Sequence, residues 1–248
     1  AICEVQTQAR DEGNPYDHLF TRPPHITPPS LTREIGGRMD YAGEELTPLD
    51  RDAVAQAARE LAHCGVRSFA VCYLFSFMND AHERATADII RETVPGAQIS
   101  LSSQVLPQIR EWPRYSTTLV NAYLVAVLAD YIASLANGLD ALEVTTPRRF
   151  LMQSNGGVMP FAAATRGENT GHTLLSGPAA GAQAAALMES AGDKSQQGFI
   201  TLDMGGTSAD IAFIEGGTPL EVTEGVVARR QVDVPALDMT TISAGGGS

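Results

Sequence analysis

The stretch Gly198–Gly217, GFITLDMGGTSADIAFIEGG, reads as strand, glycine turn, strand and hairpin turn. Phe199, Ile200 and Leu202 make a short apolar strand that Asp203 ends. Gly205, Gly206, Thr207 and Ser208 form the turn, Ile211–Ile214 is a second apolar run, and Gly216-Gly217 mark a tight turn. The pattern suggests phosphate handling. Adjacent glycines admit backbone conformations closed to other residues and leave room beside the chain. Turned backbone N–H groups can then converge on one anion. Thr207 and Ser208 add hydroxyl donors. Asp203 and Asp210 bracket the turn, and carboxylates beside a phosphate support Mg²⁺ or its waters. Two glycines alone would be satisfied by an ordinary hairpin; the full string D-x-G-G-T-S-x-D is more specific. It is neither a Walker A loop nor a dinucleotide fingerprint.

On the N-terminal side of this stretch, Leu174–Pro178 leads into an alanine-rich helix, Ala179–Ala191. Ser176 is placed as its N-cap. A helix N-terminus attracts anions, which makes Ser176 and Gly177 candidate lining. On the C-terminal side, residues 217–234 read as further strands. The run Ala244–Ser248 then offers Gly245, Gly246 and Gly247 as a second loop shaped for close ligand approach. Upstream, Phe150–Gln153 reads as a strand followed by Ser154-Asn155-Gly156-Gly157. Turn chemistry explains those four residues by itself. If the strand is parallel, its carboxyl end is where ligands collect, and Ser154 and Asn155 become candidate substrate contacts. Both readings stay open at this point.

The first part of the chain alternates helix and strand. Residues 1–30 are polar and proline-rich and read as loop; Leu31–Asp40 reads as a strand with a turn at Tyr41–Glu44. Thr47-Pro48-Leu49-Asp50 is a helix start with Thr47 as N-cap, and Gly65 stops that helix. Ser68–Phe75 is an apolar run that suits a strand covered on both faces. Asn79 or Asp80 caps a helix to about Glu92, and Gln98–Leu101 returns as a strand. After an irregular stretch at 102–114, a long helix is expected from Tyr115 to about Asn137. Its Leu119, Tyr123, Val127 and Tyr131 are placed inward, and Asn121 is expected to bond a neighbouring loop. The alternation indicates α/β architecture, with a break near residue 145.

Composition bounds the function. With 248 residues, 44% hydrophobic and 19% charged, the chain should fold. A net charge of −12 leaves no basic excess for nucleic acid or an anionic membrane. A run of 18 apolar residues is absent, so no transmembrane helix is expected. Cys3, Cys64 and Cys72 have no disulfide or zinc spacing, and free thiols in a cytoplasmic protein are the simple reading. Cys72, inside an apolar run, is placed in the core. His25, His63 and His82 are placed on the surface.

Several segments together resemble the hydantoinase A / 5-oxoprolinase family. The stretch LTPLDRDAVAQAARELAHCGVRSFAVCYLFSFMNDAHE carries an N-x-x-HE segment at Asn79–Glu83. SLSSQVLPQIREWPRYSTTLVNAYL matches a family pattern at Ser103, Arg110, Glu111, Arg114, Thr117 and Asn121–Leu124. MQSNGGVM, LLSGPAAGA, DMGGTSAD and AGGGS follow in order. Two departures stand out: Ala209 occupies a position where the family usually has Thr, and no first phosphate loop D-x-G-G-T-F-T-D precedes the hairpin. The chain therefore reads as an internal piece of a longer protein. It would hold the remainder of an N-terminal domain (1–145) and the start of the next domain (146–248) with its second phosphate loop.

The resemblance implies an α/β, actin-like ATPase (ribonuclease H-like) fold, incomplete here. It implies ATP and Mg²⁺, and hydrolysis of a cyclic amide of the hydantoin or 5-oxoproline type through phosphorylation of the ring carbonyl. A hydantoinase B-type subunit or fused half is the implied partner, and a homo-oligomer is compatible with it. The implied roles are Asp203 at Mg²⁺; Gly205, Gly206, Thr207 and Ser208 at phosphate; Asp210 orienting the nucleophile or supporting the loop; and Gly245, Gly246 and Gly247 near the nucleotide. Two other readings remain: a subunit of an acetone- or acetophenone-type carboxylase, and a non-catalytic actin-like module that binds a partner. On this view the isolated piece is expected to be inactive, half of the phosphate clamp being elsewhere.

Overall fold

The structure is a computed structural model that describes residues 14–165, 170–190 and 198–247. Cys3, Ala191 and Ser248, which carry sequence expectations, lie outside the described residues. In chain order the elements are β1 (Arg38–Met39), β2 (Glu45–Thr47), α1 (Arg51–His63), β3 (Ser68–Val71), α2 (Ala81–Thr93), β4 (Gln98–Leu101), α3 (Ser102–Val105) and α4 (Glu111–Ala141). There follow β5 (Phe150–Met152), β6 (Val158–Pro160), α5 (Phe161–Thr165), α6 (Ser176–Ser190), β7 (Gly198–Met204) and β8 (Ala209–Glu215). The chain ends in β9 (Thr218–Pro219), β10 (Glu221–Val222), β11 (Val226–Val227), β12 (Arg230–Gln231), β13 (Ala236–Leu237) and β14 (Met239–Ile242). Two compact units result. The first holds Ala1–Thr145, Ala162–Gly171 and Val226–Asp233; the second holds Thr146–Phe161, His172–Gly225 and Val234–Ser248.

The first unit is built on β3 and β4, which pair in parallel from Ser68↔Gln98 to Val71↔Leu101. Phe69 and Val71 point to a core with Val54 and Ala58 of α1 and Ala87, Ile89 and Ile90 of α2. The opposite face carries α4, and the Ser68 hydroxyl donates to the Ala122 carbonyl across it at 2.5 Å. The start of α1 differs from the sequence expectation. Asp50, not Thr47, is the N-cap, its carboxylate accepting from Ala53 N at 3.0 Å. Leu31–Asp40 contributes strand only at Arg38–Met39; a 3-10 turn covers Pro29–Leu31. The turn that follows is held by Asp40, whose carboxylate accepts from Ala42 N and Glu44 N. His82, expected on the surface, is buried, with Nε2 2.7 Å from Glu45 Oε1.

The long helix departs most from its reading. It begins at Glu111 and runs past Gly138 to Ala141. Tyr123, Val127 and Tyr131 are exposed, while Arg114, Thr117, Thr118 and Asn121 are fully buried. Each buried polar group has partners that replace water. Thr117 accepts from Asp233 N, Thr118 donates to Arg114 O, and Asn121 joins the Ser100 hydroxyl to Gly171 N. The loop bond expected of Asn121 is therefore present. By length and composition α4 is apolar enough to cross a membrane, which corrects the expectation that no such segment exists. Its buried polar side chains and its packing on β3 and β4 are those of a core helix.

A buried carboxylate ties the carboxyl ends of β3 and β4 together. Glu83 is fully buried and accepts from Tyr73 N, Ser102 Oγ, Ser103 N and Ser103 Oγ at 2.6–3.1 Å. Arg114 sits beside this cluster. It donates to the carbonyls of Gln108 and Tyr73 and lies against the rings of Phe77 and Tyr115. Cys72 is half-buried; burial pushes its thiol well above the ordinary range, with the Glu83 charge adding to the effect, which disfavours the reactive thiolate.

The second unit is a sheet in the order β14-β8-β7, with β9 also on β8, and α6 packed on it. The hairpin expected at Gly198–Gly217 is present over its full length: β7 and β8 register from Gly198↔Glu215 to Met204↔Ala209. Ala179 and Ala182 of α6 pack on Ala212 and Leu237. The helix starts at Ser176 itself, two positions before Pro178. On the open side of the sheet, Ile200, Leu202 and Met204 are exposed. The strand at Phe150 is not parallel. It pairs antiparallel with β6, and Ser154–Gly157 is the hairpin turn between them.

Two predictions follow from these packings. Glu83→Ala leaves two backbone N–H groups and two hydroxyls without their acceptor; it should cost about 3–5 kcal/mol of stability, read by urea unfolding. His172 is partly buried, and burial lowers its pKa from the ordinary value of 6.5. The unfolded chain then binds the proton more readily, so stability is full above about pH 6.5 and falls as pH drops through that value towards the folded pKa. His172→Gln should flatten that slope in thermal melts between pH 5 and 7, about the range over which free histidine titrates.

Candidate active site: two stacked glycine turns above paired carboxylates

The β7–β8 turn is closed by Gly205 N donating to Ser208 O at 2.9 Å. Gly205, Gly206 and Thr207 are exposed. Asp203 and Asp210 are direct cross-strand partners at the base of the turn. The alternation of a strand places both on one face. That face meets α6, and Pro178, Gly181, Asp203, Asp210 and Met239 line a small cavity of about 170 Å³ there.

The second glycine loop comes to the same place. β14 runs antiparallel along β8, pairing Thr241↔Asp210 and Ile242↔Ala209. The chain then crosses the hairpin turn: Gly246 N donates to Gly205 O at 3.0 Å and Gly247 N to Gly206 O at 2.9 Å. The contact is backbone on backbone. A Cβ on Gly245 would stand 2.5 Å from Thr207 N and 2.6 Å from Gly206 O, so only glycine fits. A Cβ on Gly206 would meet nothing within 4 Å. Glycine is thus structural at 245 and leaves open space at 206.

Two further groups position the carboxylates. The Thr241 hydroxyl donates to Asp210 Oδ1 at 2.6 Å. On α6, a Cβ at Gly181 would lie 2.9 Å from Asp203 Oδ2, so the helix approaches the carboxylate through a glycine. Neither Thr241 nor Gly181 is marked in the sequence. Thr241 could have been found from the strand register, which only the pairing of β14 with β8 reveals. Gly181 could have been found only as one small residue among many in α6.

The remaining candidates are placed differently. Ser176 and Gly177 open α6 just ahead of Pro178, and neither lines the cavity. Ser154 is fully buried. Its hydroxyl accepts from Leu175 N at 3.0 Å, and its own carbonyl accepts from Leu237 N. Asn155 accepts from Gly157 N within the β5–β6 turn. These two side chains hold loops together. Ala209 is also fully buried.

The profile described as Hydantoinase/oxoprolinase matches residues 114–248, and the one for the Hydantoinase/oxoprolinase N-terminal region matches residues 2–94. The chain belongs to the hydantoinase/oxoprolinase family. It is 34% identical over 245 residues to caprolactamase subunit alpha of Pseudomonas jessenii, which covers 99% of this chain and 34% of that protein. It is 32% identical over 234 residues to 5-oxoprolinase of Saccharomyces cerevisiae, covering 92% of this chain and 17% of the enzyme. The solved ATP-dependent caprolactamase of P. jessenii superposes with a TM-score of 0.80 at 33% identity, over 94% of this chain and 33% of that one. Nucleotide-free acetone carboxylase superposes with a TM-score of 0.76 at 26% identity, over 90% and 31%. The fold is thus the α/β, actin-like ATPase fold. The chain spans about a third of the length of caprolactamase subunit alpha.

Gly245→Ala should displace the second glycine loop and lower the melting temperature of the second unit. A cost of about 1–3 kcal/mol fits a side chain forced against backbone. Gly206→Ala should melt as the parent does.

Proposed function

We propose that the intact protein is an ATP-dependent hydrolase of a cyclic amide, of the hydantoin, lactam or 5-oxoproline type. The observation that carries the reading is the convergence of two glycine turns, from separate segments, above Asp203 and Asp210. The donor set fits a magnesium-bound phosphate. The turn around Gly206 is open, Thr207 and Ser208 supply N–H and O–H donors, and the carboxylates supply oxygen ligands of the kind Mg²⁺ or its waters require. Bound ATP would supply a phosphoryl group to the carbonyl oxygen; the ring carbon would then be electrophilic enough for water to add and the ring C–N bond to break, releasing the ring-opened amino acid, ADP and phosphate. The chain's own residues position and neutralise charge, the main work of phosphoryl-transfer sites.

In this reading Asp203 holds Mg²⁺ through water, and Gly205, Gly206, Thr207 and Ser208 bind phosphate. Gly245, Gly246 and Gly247 fix the shape of that turn beside the nucleotide. Of the two roles open to Asp210, the Thr241 hydroxyl favours support of the loop. Ser176 and Gly177 contribute through the positive end of α6. Ser154 and Asn155 act on the substrate indirectly, by holding the loops that carry Leu175 and Gly157. A second subunit or a fused half completes the enzyme; the relative from P. jessenii is itself named a subunit. The likeness to acetone carboxylase supports a second reading, an ATP-driven ketone carboxylase.

The test is ATP turnover by the intact protein with its partner, in the presence of hydantoin, caprolactam or 5-oxoproline, or of acetone with bicarbonate. Stimulation by a cyclic amide supports the first reading, and stimulation by acetone with bicarbonate replaces it with the second. Absence of turnover with every substrate leaves a non-catalytic module. Asp203→Ala should abolish turnover. Gly206→Ala should bind Mg·ATP at least about tenfold more weakly in calorimetric titration without loss of fold, since a methyl would stand where the phosphate approaches. Near-parent turnover in Asp203→Ala would remove that carboxylate from the mechanism.

A further inference from the structure

Asp203 and Asp210 stand opposite each other on neighbouring strands, and like charges so placed repel. The structure treats the two carboxylates unequally. Asp203 is exposed, and no donor reaches it among the described residues; α6 passes it at Gly181, where a Cβ would lie 2.9 Å from Oδ2. Asp210 is half-buried and takes one hydrogen bond, from the Thr241 hydroxyl to Oδ1 at 2.6 Å. Its Oδ2 has no donor among the described residues.

The ladder explains why Thr241 is the residue that reaches Asp210. Gly205 N donates to Ser208 O, so the pairs of β7 and β8 that exchange backbone bonds are Gly205–Ser208 and, two steps on, Asp203–Asp210. Asp210 thereby spends its N–H and C=O on β7. Towards β14 it faces Thr241 without a backbone bond, and pairs of that kind bring their side chains closest, with Cα atoms about 4.5 Å apart. A threonine at 241 is placed to hold its neighbour's carboxylate, and its branched Cβ restricts the rotamers from which it does so.

We propose that Thr241 sets the cation preference of this site by keeping Asp210 to a single free oxygen. The inference rests on the reading of the site as one for a metal-bound phosphate. Carboxylates bind Ca²⁺ through one oxygen or both, within a loose shell of about six to eight ligands, whereas Mg²⁺ keeps several waters in a tight octahedron. With Oδ1 held by Thr241, Asp210 offers Oδ2 alone, to a cation or to one of its waters. That arrangement suits Mg²⁺ and denies Ca²⁺ a two-oxygen grip. Both oxygens of Asp203 are open, so the selection falls to Asp210. Thr241 acts through Asp210 and is a positioning residue.

The intact protein, titrated calorimetrically with a non-hydrolysable ATP analogue in Mg²⁺ and then in Ca²⁺, tests it. The ratio of the two Kd values is read for the parent, Thr241→Val and Thr241→Ser. Valine keeps the branched shape, suits an exposed strand and removes the hydroxyl. The parent should bind the Mg²⁺ complex more tightly. Thr241→Val should shift the ratio towards Ca²⁺ by about tenfold, the lower end of what losing a bond to a metal-binding carboxylate does to affinity. Thr241→Ser should keep the parent ratio. A structural role alone would weaken both complexes alike, so equal weakening or loss of both in Thr241→Val overturns the proposal. The parent ratio in Thr241→Val, or an equal shift in Thr241→Ser, overturns it too. These failures leave the parent's own binding intact and are thereby distinct from failure of the underlying reading: a parent that binds neither complex removes the metal–phosphate site and the inference together.

Discussion

The candidate site rests on the approach of one backbone to another. Between Gly245 and the Gly206–Thr207 peptide there is no room for a methyl group, and two N–H···O bonds span the gap. Because the contact is made by main chain, its geometry is fixed by the sheet that carries both segments: β8 sits between β7 and β14, and both turns emerge at its Ala209 end, one between β7 and β8 and the other after β14. Side-chain contacts can change rotamer; a backbone stack on a registered sheet cannot. The carboxylates inherit that rigidity. Asp203 and Asp210 face each other through the ladder, one bounded by a glycine of α6 and the other by the Thr241 hydroxyl.

The hairpin, its boundaries and the family were legible in the sequence because period-2 apolar runs and paired glycines are local signals. β4 and the stop at Gly65 were legible for the same reason. The glycines of the second loop were found as a motif, but their partner across the stack depends on a strand register that no local pattern encodes. The face of α4 was misread for a physical reason. Spacing of four picks out Leu119, Tyr123 and Val127 as apolar, and burial was inferred from that. The helix instead buries Arg114, Thr117, Thr118 and Asn121; Thr118 bonds within the helix, and the others are supplied with hydrogen bonds from residues far away in sequence, such as Tyr73, Asp233 and Gly171. Hydropathy counts the polar atom and cannot see its partner. The same blindness placed His82 on the surface, whereas Glu45 meets it from 37 residues away.

Ala209 gains a different meaning from its position. The missing hydroxyl could be taken as a donor lost from the phosphate turn. Its side chain is wholly enclosed, between the registers of Met204 and Ile242, so a hydroxyl there would belong to the packing of the sheet. Gly206, Thr207 and Ser208 remain as residue types of the motif, the first two exposed and Ser208 half-buried. Ser154 makes the converse point. Read as a strand-end ligand contact, it proves to be a hub for three loop bonds, with its parallel-strand premise replaced by a hairpin.

The bare side of β7 carries a last consequence, for handling rather than catalysis. Ile200, Leu202 and Met204 line one face of a seven-residue strand that, among the described residues, has no strand partner other than β8, and Asp203 is its lone charge. Edges of this kind, long, apolar and without lysine or proline, are templates on which other chains stack. That edge is the place where a chain of these residues would self-associate, and Leu202→Lys would oppose it by putting a charge on the apolar face.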